Sequence, residues 1–451
     1  VLILFSTSIF ATYYCFNNKY FFEYPISLFM IWFSHFLNSG GALYLKSLEL
    51  SLVTDQLIFP LSTITLISFF TFLIIISHMI YRNGSTTNKI RTKLCNFYSR
   101  HHLMEINNVN FLYFIGIIGV ASKLYYLDLN VVRFDQSEAA GPGLFQDILE
   151  GLDIFIFAPI VIIFSQTLYG TQKDKKIRWF FLFYCLIILA ISFGRNNRSV
   201  LFDVILLFVL IYLLVFLFGK IKSNRGFYIK VTVVLLLSIP VLNFFDTFSK
   251  IYLTERGTRG TRTPLESVKS FVSAFTSRKQ NDEAFQRKQT LKKGRLFSET
   301  YYQNTLYNRI NFLKIHDNIN LAGRELSKDQ IEDLKKFEVG RLISIAPQPI
   351  INIFTNDFNK RDYLDYSLGS YIYITVDPTR YGSTTLNIGS MLMELKIFAG
   401  YWLPIVILLM CIPVFVLFDS FYNKKLLLVS PILLISFFST GRGVSNYFAA
   451  D

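Results

Sequence analysis

Charged residues are scarce in this chain of 451 residues, of which only 17% are Asp, Glu, Lys or Arg. A soluble domain carries about 25% charged residues, so this protein is short of the groups that keep a surface in water. Hydrophobic residues make up 52% of the chain and aromatic residues 17%, and the mean hydropathy is +0.40. This composition argues against a soluble enzyme, a nucleic-acid-binding domain and a disordered chain, and it predicts an integral membrane protein.

Signatures of soluble enzymes are missing as well. The sequence contains no GxSxG, no Walker A loop, no GxGxxG and no HExxH pattern. Its four cysteines show no CxxC or Cys/His spacing of the kind that holds zinc. The polar segments carry no carboxylates at Asp-x-Asp spacing. We therefore expect no nucleotide, cofactor or metal, and a substrate that arrives already activated.

Long apolar runs recur along the chain. A bilayer core about 30 Å thick requires roughly 20 apolar residues in a helix, and by this criterion we expect an all-α polytopic membrane protein with about 10–12 transmembrane helices. The first run lacks a basic start and a small-residue cleavage site, so we interpret it as a membrane helix rather than a signal peptide. The candidate spans are residues 2–16, 21–37, 57–81, 109–127, 152–169, 177–193, 200–218, 229–245, 401–418 and 426–440.

Basic residues, which give the chain a net charge of +14, are concentrated in alternate short loops. Because cytoplasmic loops are enriched in Lys and Arg, we place these loops in the cytoplasm. The acidic loop at 128–153, the short turn at 194–199 and the long segment at 246–400 then lie on the extracytoplasmic side. The basic loops are residues 82–100, 173–178, 220–230 and 424–425.

Three domains follow from this arrangement. We predict an N-terminal bundle of transmembrane helices at 1–245, a long extracytoplasmic loop at 246–400, and C-terminal transmembrane helices at 401–451. The middle domain is assigned from its polar residues and short apolar runs. No internal repeat of the kind that builds transporters from two similar halves is present in the sequence.

Two segments of the long loop have the spacing of amphipathic helices. They are residues 300–316 and 326–345. Ser327 followed by Gln330 is a capping-box pattern, which predicts where the second helix begins. We expect both helices to pack against the outer ends of the membrane helices; the alternative is that both are solvated surface helices.

The short turn between two apolar runs carries Arg195 and Arg198. Ser199 follows them and is placed to cap the next helix, whose N-terminus carries partial positive charge. Two guanidinium groups beside a helix N-terminus suit a pyrophosphate, because arginine binds phosphate through a bidentate fork. Asp203, one turn into the helix, is expected to pair with one of these arginines. The alternative is that both arginines anchor the helix to lipid headgroups.

Other polar residues are weaker candidates. His316 is the only histidine of the long loop, and a lone histidine is more often structural than catalytic. His78 and Lys123 lie near helix ends, where we expect their side chains to snorkel towards the interface. Four further extracytoplasmic arginines are expected at the surface or against headgroups: Arg309, Arg341, Arg380 and Arg442.

Taken together, these external features resemble the Wzy-type polysaccharide polymerases, the oligosaccharide repeat unit polymerase family. The resemblance runs from 192 to 418 in the order of its parts. An arginine-bearing turn precedes an apolar helix, and a long outer loop follows with a helix carrying asparagine and arginine. That loop ends in IAPQP at 345–349, GSTTLNIG at 382–389 and MELKIFAG at 393–400. The arginine and tryptophan that follow the first proline in the family are absent here.

The resemblance implies a GT-C-like membrane fold in the bacterial cytoplasmic membrane. It implies that the growing glycan leaves undecaprenyl pyrophosphate and joins the non-reducing end of a new lipid-linked repeat unit on the outer leaflet. Membrane lipid, a flippase and a chain-length regulator are implied as partners, without nucleic acid, cofactor or metal. Arg195, Arg198, Glu394 and His316 would be the catalytic residues. Substrate-binding residues would be Arg309, Arg341, Arg380, Arg442 and Asp203.

Three alternatives stay open. A lipid-glycan ligase shares the architecture and the donor but uses a different acceptor, and such ligases usually pair an external arginine with a histidine. A flippase or transporter would predict internal repeats and charged residues at mid-membrane. A structural membrane scaffold would explain the hydropathy but not the clustered external arginines.

Overall fold

The computed structural model describes part of the chain, and this part is mostly helical. The connecting sequence between these residues is not described. The described residues are 1–104, 109–129, 152–160, 175–194, 199–219, 232, 246–247, 250, 266, 269, 273, 301–304, 307–344, 346, 351–353, 358, 361–364, 368–376, 390–424 and 428–430.

One antiparallel strand pair accompanies the helices, with Tyr422 opposite Val429. Two 3-10 turns, Asp153–Phe157 and Gly400–Trp402, and a π-turn, Phe36–Gly40, complete the described elements. The helices and strands are α1 (Leu2–Cys15), α2 (Asn18–Phe21), α3 (Pro25–His35), α4 (Gly41–Leu48), α5 (Pro60–Asn83), α6 (Ser85–Arg100), α7 (Val109–Leu129), α8 (Lys175–Gly194), α9 (Ser199–Leu217), α10 (Tyr307–Ile310), α11 (Leu313–Glu325), α12 (Lys328–Ile343), α13 (Arg361–Leu364), α14 (Leu368–Val376), α15 (Met391–Ala399), α16 (Leu403–Ser420), β1 (Tyr422–Asn423) and β2 (Leu428–Val429).

Among the described residues, three helices are long and apolar enough to cross a membrane. They are Pro25–Leu48, Pro60–Asn83 and Leu392–Ser420. The first is the continuous run of α3, the π-turn and α4, and the third joins α15 to α16. Helix α1 and parts of α7, α8 and α9 are shorter apolar helices. The chain is therefore a mostly helical membrane protein.

Local sequence explains where several helices begin. Pro25 and Pro60 occupy the first turn of α3 and α5, where the missing N–H of proline costs no intrahelical hydrogen bond. Helix α12 begins with a capping box, in which Ser327 and Gln330 each bind the other's backbone N–H through their side chains. The capping box predicted from the sequence is thus confirmed.

The first of two compact units comprises Val1–Arg91, Leu296–Asp419 and Thr440–Asp451. Helices α1, α3 and α5 pack against one another, and α11 packs against α5, the π-turn, α14 and α15. A Cβ atom on Gly40 would lie 2.8 Å from the His35 ring. The π-turn therefore requires glycine at this position, because any side chain would displace the imidazole.

The second unit comprises Thr92–Arg295 and Ser420–Ser439. In it, α7 packs against the 3-10 turn Asp153–Phe157. Tyr184 of α8 fastens this contact, since its hydroxyl donates to the carbonyls of Gly116 at 3.1 Å and Ile156 at 2.9 Å. The strand pair β1–β2 belongs to the same unit.

The predicted spans agree closely with six helices, namely α1, α5, α7, α8, α9 and α16. The predicted span 21–37 instead continues to Leu48, because the buried π-turn carries the helix through the polar residues at 38–41. The helix predicted at 300–316 is wrong, since α11 begins only at Leu313 after the short α10. The start of the span at 426–440 is wrong too, because Leu428–Val429 forms a strand. Residues 161–169 and nearly all of 229–245 lie outside the described residues.

Candidate functional site

Helix α11 is the part of the long hydrophilic segment that is most deeply buried in the first unit. Its sequence LKIHDNINLA, residues 313–322, is buried along its whole length, including the charged and amide side chains. A buried polar group without a hydrogen bond is costly, so these side chains need partners from the surrounding helices. The partners of Asp317 and His316 define the site.

Asp317 holds the start of α5. Its carboxylate accepts the backbone N–H of Ile58 at 2.6 Å, the backbone N–H of Phe59 at 2.9 Å and the hydroxyl of Thr63 at 3.0 Å. Lys314 donates to the same carboxylate at 3.1 Å. A carboxylate stabilises a helix N-terminus because it satisfies free N–H groups and meets the positive end of the helix dipole. Asp317 therefore fixes α11 to a membrane helix.

His316 lies next to Asp317 and joins two other elements. Its Nε2 is 2.8 Å from Oδ1 of Asn38, in the π-turn of the first candidate span. Its Nδ1 is 2.5 Å from Oγ of Ser390, which is 74 residues further along the chain. The imidazole is only 1% exposed, and Asn38 and Ser390 are buried with it. The ring thus connects the long hydrophilic segment to a membrane helix.

Glu394 belongs to the same cluster. Its Oε1 accepts the backbone N–H of Ser390 at 2.9 Å, while Oγ of Ser390 accepts the backbone N–H of Met393 at 3.2 Å. These two bonds form an N-terminal cap of α15, in which the Ser390 hydroxyl binds a backbone N–H of the first turn and the Glu394 carboxylate binds the backbone N–H of Ser390. The structure therefore brings two of the predicted catalytic residues, His316 and Glu394, to one serine. We call His316, Asn38, Ser390 and Glu394 the His316 cluster.

The hydrogen atoms of the His316 cluster follow from its partners. The amide nitrogen of Asn38 donates to the carbonyl of Ser34 at 2.8 Å and to its hydroxyl at 3.1 Å, so Oδ1 of Asn38 faces His316 as an acceptor. His316 must then donate from Nε2, and its Nδ1 accepts the hydroxyl hydrogen of Ser390. A neutral imidazole satisfies all of these hydrogen bonds.

Burial also favours the neutral imidazole, because it lowers the pKa of His316 from 6.5 to about 3. The imidazole therefore stays uncharged at physiological pH. A neutral imidazole that receives the hydroxyl hydrogen of Ser390 can hold that serine, and through it the Glu394 carboxylate, in a fixed position.

Two basic side chains, Lys396 of α15 and Arg324 of α11, lie near the C-terminal half of α11. Lys396 donates to Oδ1 of Asn320 at 3.1 Å. Arg324 lies over the ring of Phe59 at 4.0 Å and donates to the hydroxyl of Ser62 at 2.9 Å. Arg324 is exposed and acts electrostatically on Lys396, so two positive charges meet at this edge. Such an edge favours an anionic group.

The predicted arginines are distributed differently. Arg341 is 3% exposed and lies 3.3 Å from the carboxylate of Glu338, so the expectation of a surface position is wrong. Arg309 lies on α10 and Asp203 in the first turns of α9, but their side chains are outside the described parts of the structure. Four of the arginines lie entirely outside the described residues: Arg195, Arg198, Arg380 and Arg442.

Sequence reasoning missed Asn38 and Ser390. Asn38 stands four residues after Ser34, so the two share a helix face within an apolar run. Ser390 stands four residues before Glu394, which is close to a capping-box spacing. Both signals are present, but neither shows which distant residue the polar group will meet.

Comparison with known proteins adds no relative. No protein-family model, no curated protein and no solved structure matches this chain. The function of the chain is therefore inferred from its sequence pattern and from the contacts of its described residues.

Proposed function

We propose that the chain is a glycosyltransferase of the bacterial cytoplasmic membrane that polymerises undecaprenyl-pyrophosphate-linked repeat units on the outer leaflet. Three features support the proposal: the apolar helical fold, the long hydrophilic segment whose helix α11 packs on the membrane helices, and the resemblance of residues 192–418 to Wzy-type polymerases. The sidedness follows from the basic loops.

The proposed reaction joins two lipid-linked glycans. A hydroxyl oxygen at the non-reducing end of a new repeat unit attacks the anomeric carbon of the growing chain. The bond from that carbon to the pyrophosphate breaks, and undecaprenyl pyrophosphate leaves with the electron pair. The hydroxyl proton passes to the protein. The leaving group supplies the driving force, so no nucleotide is required.

The observation that carries the proposal is the meeting of His316, Ser390 and Glu394 at the N-terminal end of the candidate span Leu392–Ser420. We assign proton acceptance to the Glu394 carboxylate. His316 is the positioning residue, since it holds Ser390, whose N–H binds that carboxylate. Carboxylate bases placed within reach of a substrate hydroxyl typically contribute about 10²–10⁴-fold in rate.

The donor pyrophosphate requires positive charge. Arg195 and Arg198 are assigned to it, because a guanidinium pair can bind phosphate oxygens in bidentate fashion and stabilise the charge that develops on the leaving group. Arg324 and Lys396 add positive charge near the C-terminal half of α11. Arg341 is assigned to structure through Glu338.

Glycan chain-length analysis in a strain that lacks the gene tests this function. A polymerase defect leaves single repeat units on the acceptor, and the wild-type gene restores long chains. Polymer that accumulates without reaching its acceptor would instead indicate a ligase, a candidate that the hydrogen-bonded His316 favours. Repeat units that stay on the inner leaflet would indicate a flippase and contradict the proposal.

A further inference from the structure

Five polar side chains form a second buried cluster in the first unit. Ser27 and Asn38 lie on the same continuous helix, about 16 Å apart along its axis, so this cluster is separate from the His316 cluster. None of the five exposes more than 8% of its surface. Ionisable side chains inside apolar helices are costly to bury and usually mark function. The cluster consists of Tyr14 on α1, Ser27 on α3, His78 and Tyr81 on α5, and Asp419 on α16.

The burial of His78 corrects the sequence-based expectation. The side chain was expected to snorkel to the interface, but it is 0% exposed. Its ring is surrounded by those of Tyr24 at 5.7 Å, Tyr81 at 5.6 Å and Phe415 at 5.3 Å between centroids. The imidazole is thus directed into the bundle, where its two nitrogen atoms must find protein partners.

The five side chains form an unbroken hydrogen-bonded chain, which we call the polar chain. The Tyr14 hydroxyl is 2.8 Å from Nδ1 of His78, and Nε2 of His78 is 2.9 Å from Oγ of Ser27. Oγ of Ser27 is 2.6 Å from Oδ2 of Asp419. The Tyr81 hydroxyl donates to the same carboxylate oxygen at 3.1 Å, and the Ser27 backbone N–H donates to the other at 3.0 Å.

With a neutral His78, and with Ser27 donating within the polar chain rather than to the Tyr24 carbonyl, counting hydrogen atoms gives two consistent arrangements. In the first, Ser27 donates to Asp419, its shortest contact, so His78 donates from Nε2 and Tyr14 donates to Nδ1. Asp419 then receives three hydrogen bonds as an ionised carboxylate. In the second, protonated Asp419 donates to Ser27, Ser27 donates to Nε2, and His78 donates from Nδ1 to Tyr14. His78 is neutral in both, and the two arrangements differ by one proton.

The charges around the polar chain favour Asp419 as the group that changes charge. On the side of α6, the positive charge of Arg91 acts on Tyr81 and on Asp419. Arg82, at the end of α5, acts on His78. Both facing charges are positive, so they repel an imidazolium and attract a carboxylate. Tyr24 faces the polar chain through its ring, which lies beside the His78 ring, and through its backbone carbonyl, whose oxygen is 3.3 Å from Oγ of Ser27.

We propose that the polar chain is a proton-binding site whose proton enters at Tyr14 and appears on Asp419. Tyr14 passes its hydroxyl hydrogen to Nδ1 of His78, His78 passes its Nε2 hydrogen to Ser27, and Ser27 passes its hydrogen to Asp419. One proton from water restores the Tyr14 hydroxyl, so each O–H or N–H bond that breaks is replaced. The site stands independently of the glycosyl transfer proposed above.

Infrared difference spectra of the full-length protein in lipid nanodiscs, taken between basic and acidic buffer, test the first part. Wild-type protein is expected to gain the C=O band of a protonated carboxylic acid in acid. The Asp419→Asn variant is expected to lack the component of that band that comes from Asp419. Glu332→Gln, which removes a carboxylate that is 63% exposed, is the matched control and keeps it. A band that persists unchanged in Asp419→Asn overturns the site.

The tautomer of His78 tests the transfer along the chain. In protein labelled with ¹⁵N-histidine, the His78 signal is identified by its loss in His78→Gln. We expect the hydrogen to move from Nε2 to Nδ1 as Asp419 takes up its proton. Because this measurement uses wild-type protein, it decides the matter even where Asp419→Asn does not fold. A His78 that becomes charged, or that keeps one tautomer while Asp419 titrates, contradicts the proposal.

Removing the Ser27 hydroxyl interrupts the polar chain between His78 and Asp419. In Ser27→Ala, the Asp419 band is expected to remain, but the His78 tautomer no longer follows it. Ser77→Ala is the matched control, since Ser77 is equally buried beside His78 but donates to the Leu73 carbonyl at 2.7 Å. It is expected to behave as wild type. A tautomer change that survives in Ser27→Ala overturns transfer through Ser27.

Discussion

The buried imidazole of His316 should make the folded protein less stable in acid, by an amount that can be calculated. Burial lowers its pKa to about 3, whereas the unfolded chain has the ordinary value of 6.5. Between these values the unfolded chain binds a proton and the folded protein does not, so acid favours unfolding. The loss is about 1.4 kcal/mol per pH unit below 6.5, which amounts to about 2 kcal/mol at about pH 5.

Replacing His316 by glutamine separates the loss of stability caused by this histidine in acid from the losses caused by other groups. At neutral pH the His316→Gln variant should be less stable by about 1–3 kcal/mol, because hydrogen bonds to Asn38 and Ser390 are lost. The variant cannot titrate at this position, so the gap to wild type should narrow by about 2 kcal/mol by about pH 5.

Denaturant unfolding in matched lipid or detergent, followed at several pH values, measures this gap. His101→Gln, which changes an exposed histidine, is the control and should leave the pH dependence of wild type unaltered. If the gap between wild type and His316→Gln stays constant or widens in acid, the neutral buried imidazole is refuted.

Three further predictions concern the proposed reaction. Arg195→Lys and Arg198→Lys should each reduce polymer formation by about 10- to 150-fold, since a charged hydrogen bond contributes about 1.5–3 kcal/mol and lysine lacks the bidentate fork. Normal chain lengths in both variants would mean that these residues anchor the helix to headgroups instead. Cysteine at Lys175 or Lys222 should resist an impermeant thiol reagent in intact cells, while cysteine at Arg262 or Lys328 should react; the reverse pattern would invert the orientation. Polymer formation should persist in excess chelator, and a loss that magnesium restores would show a metal requirement.

Hydropathy and terminal signals sufficed to predict most of the long apolar helices and the helix α12. Helix α5 was expected at 57–81 and α12 from its capping box, and both begin within a few residues of the expected positions. These signals are local, because proline at the first turn or serine at a cap acts on its own helix.

Packing between distant segments could not be predicted in this way. Most of α11 lies between the two helices predicted at 300–316 and 326–345, and the sequence did not indicate that it is buried, with His316 bound to Asn38 and Asp317 bound to Ile58. The predicted positions of the Arg341 and His78 side chains were wrong for the same reason, since each is buried against a partner that the sequence does not reveal. The partner of a polar side chain is a property of the assembled helices.

Reconstitution of the reaction tests the central claim most directly. Purified protein in proteoliposomes would receive a defined undecaprenyl-pyrophosphate-linked repeat unit as donor and acceptor. We expect a ladder of longer glycans, with one undecaprenyl pyrophosphate released for each linkage. Glu394→Gln should lose the ladder, while Glu332→Gln, with its exposed side chain, should retain it. Folded wild-type protein that binds the substrate but forms no linkage would contradict the claim that this chain is a polymerase.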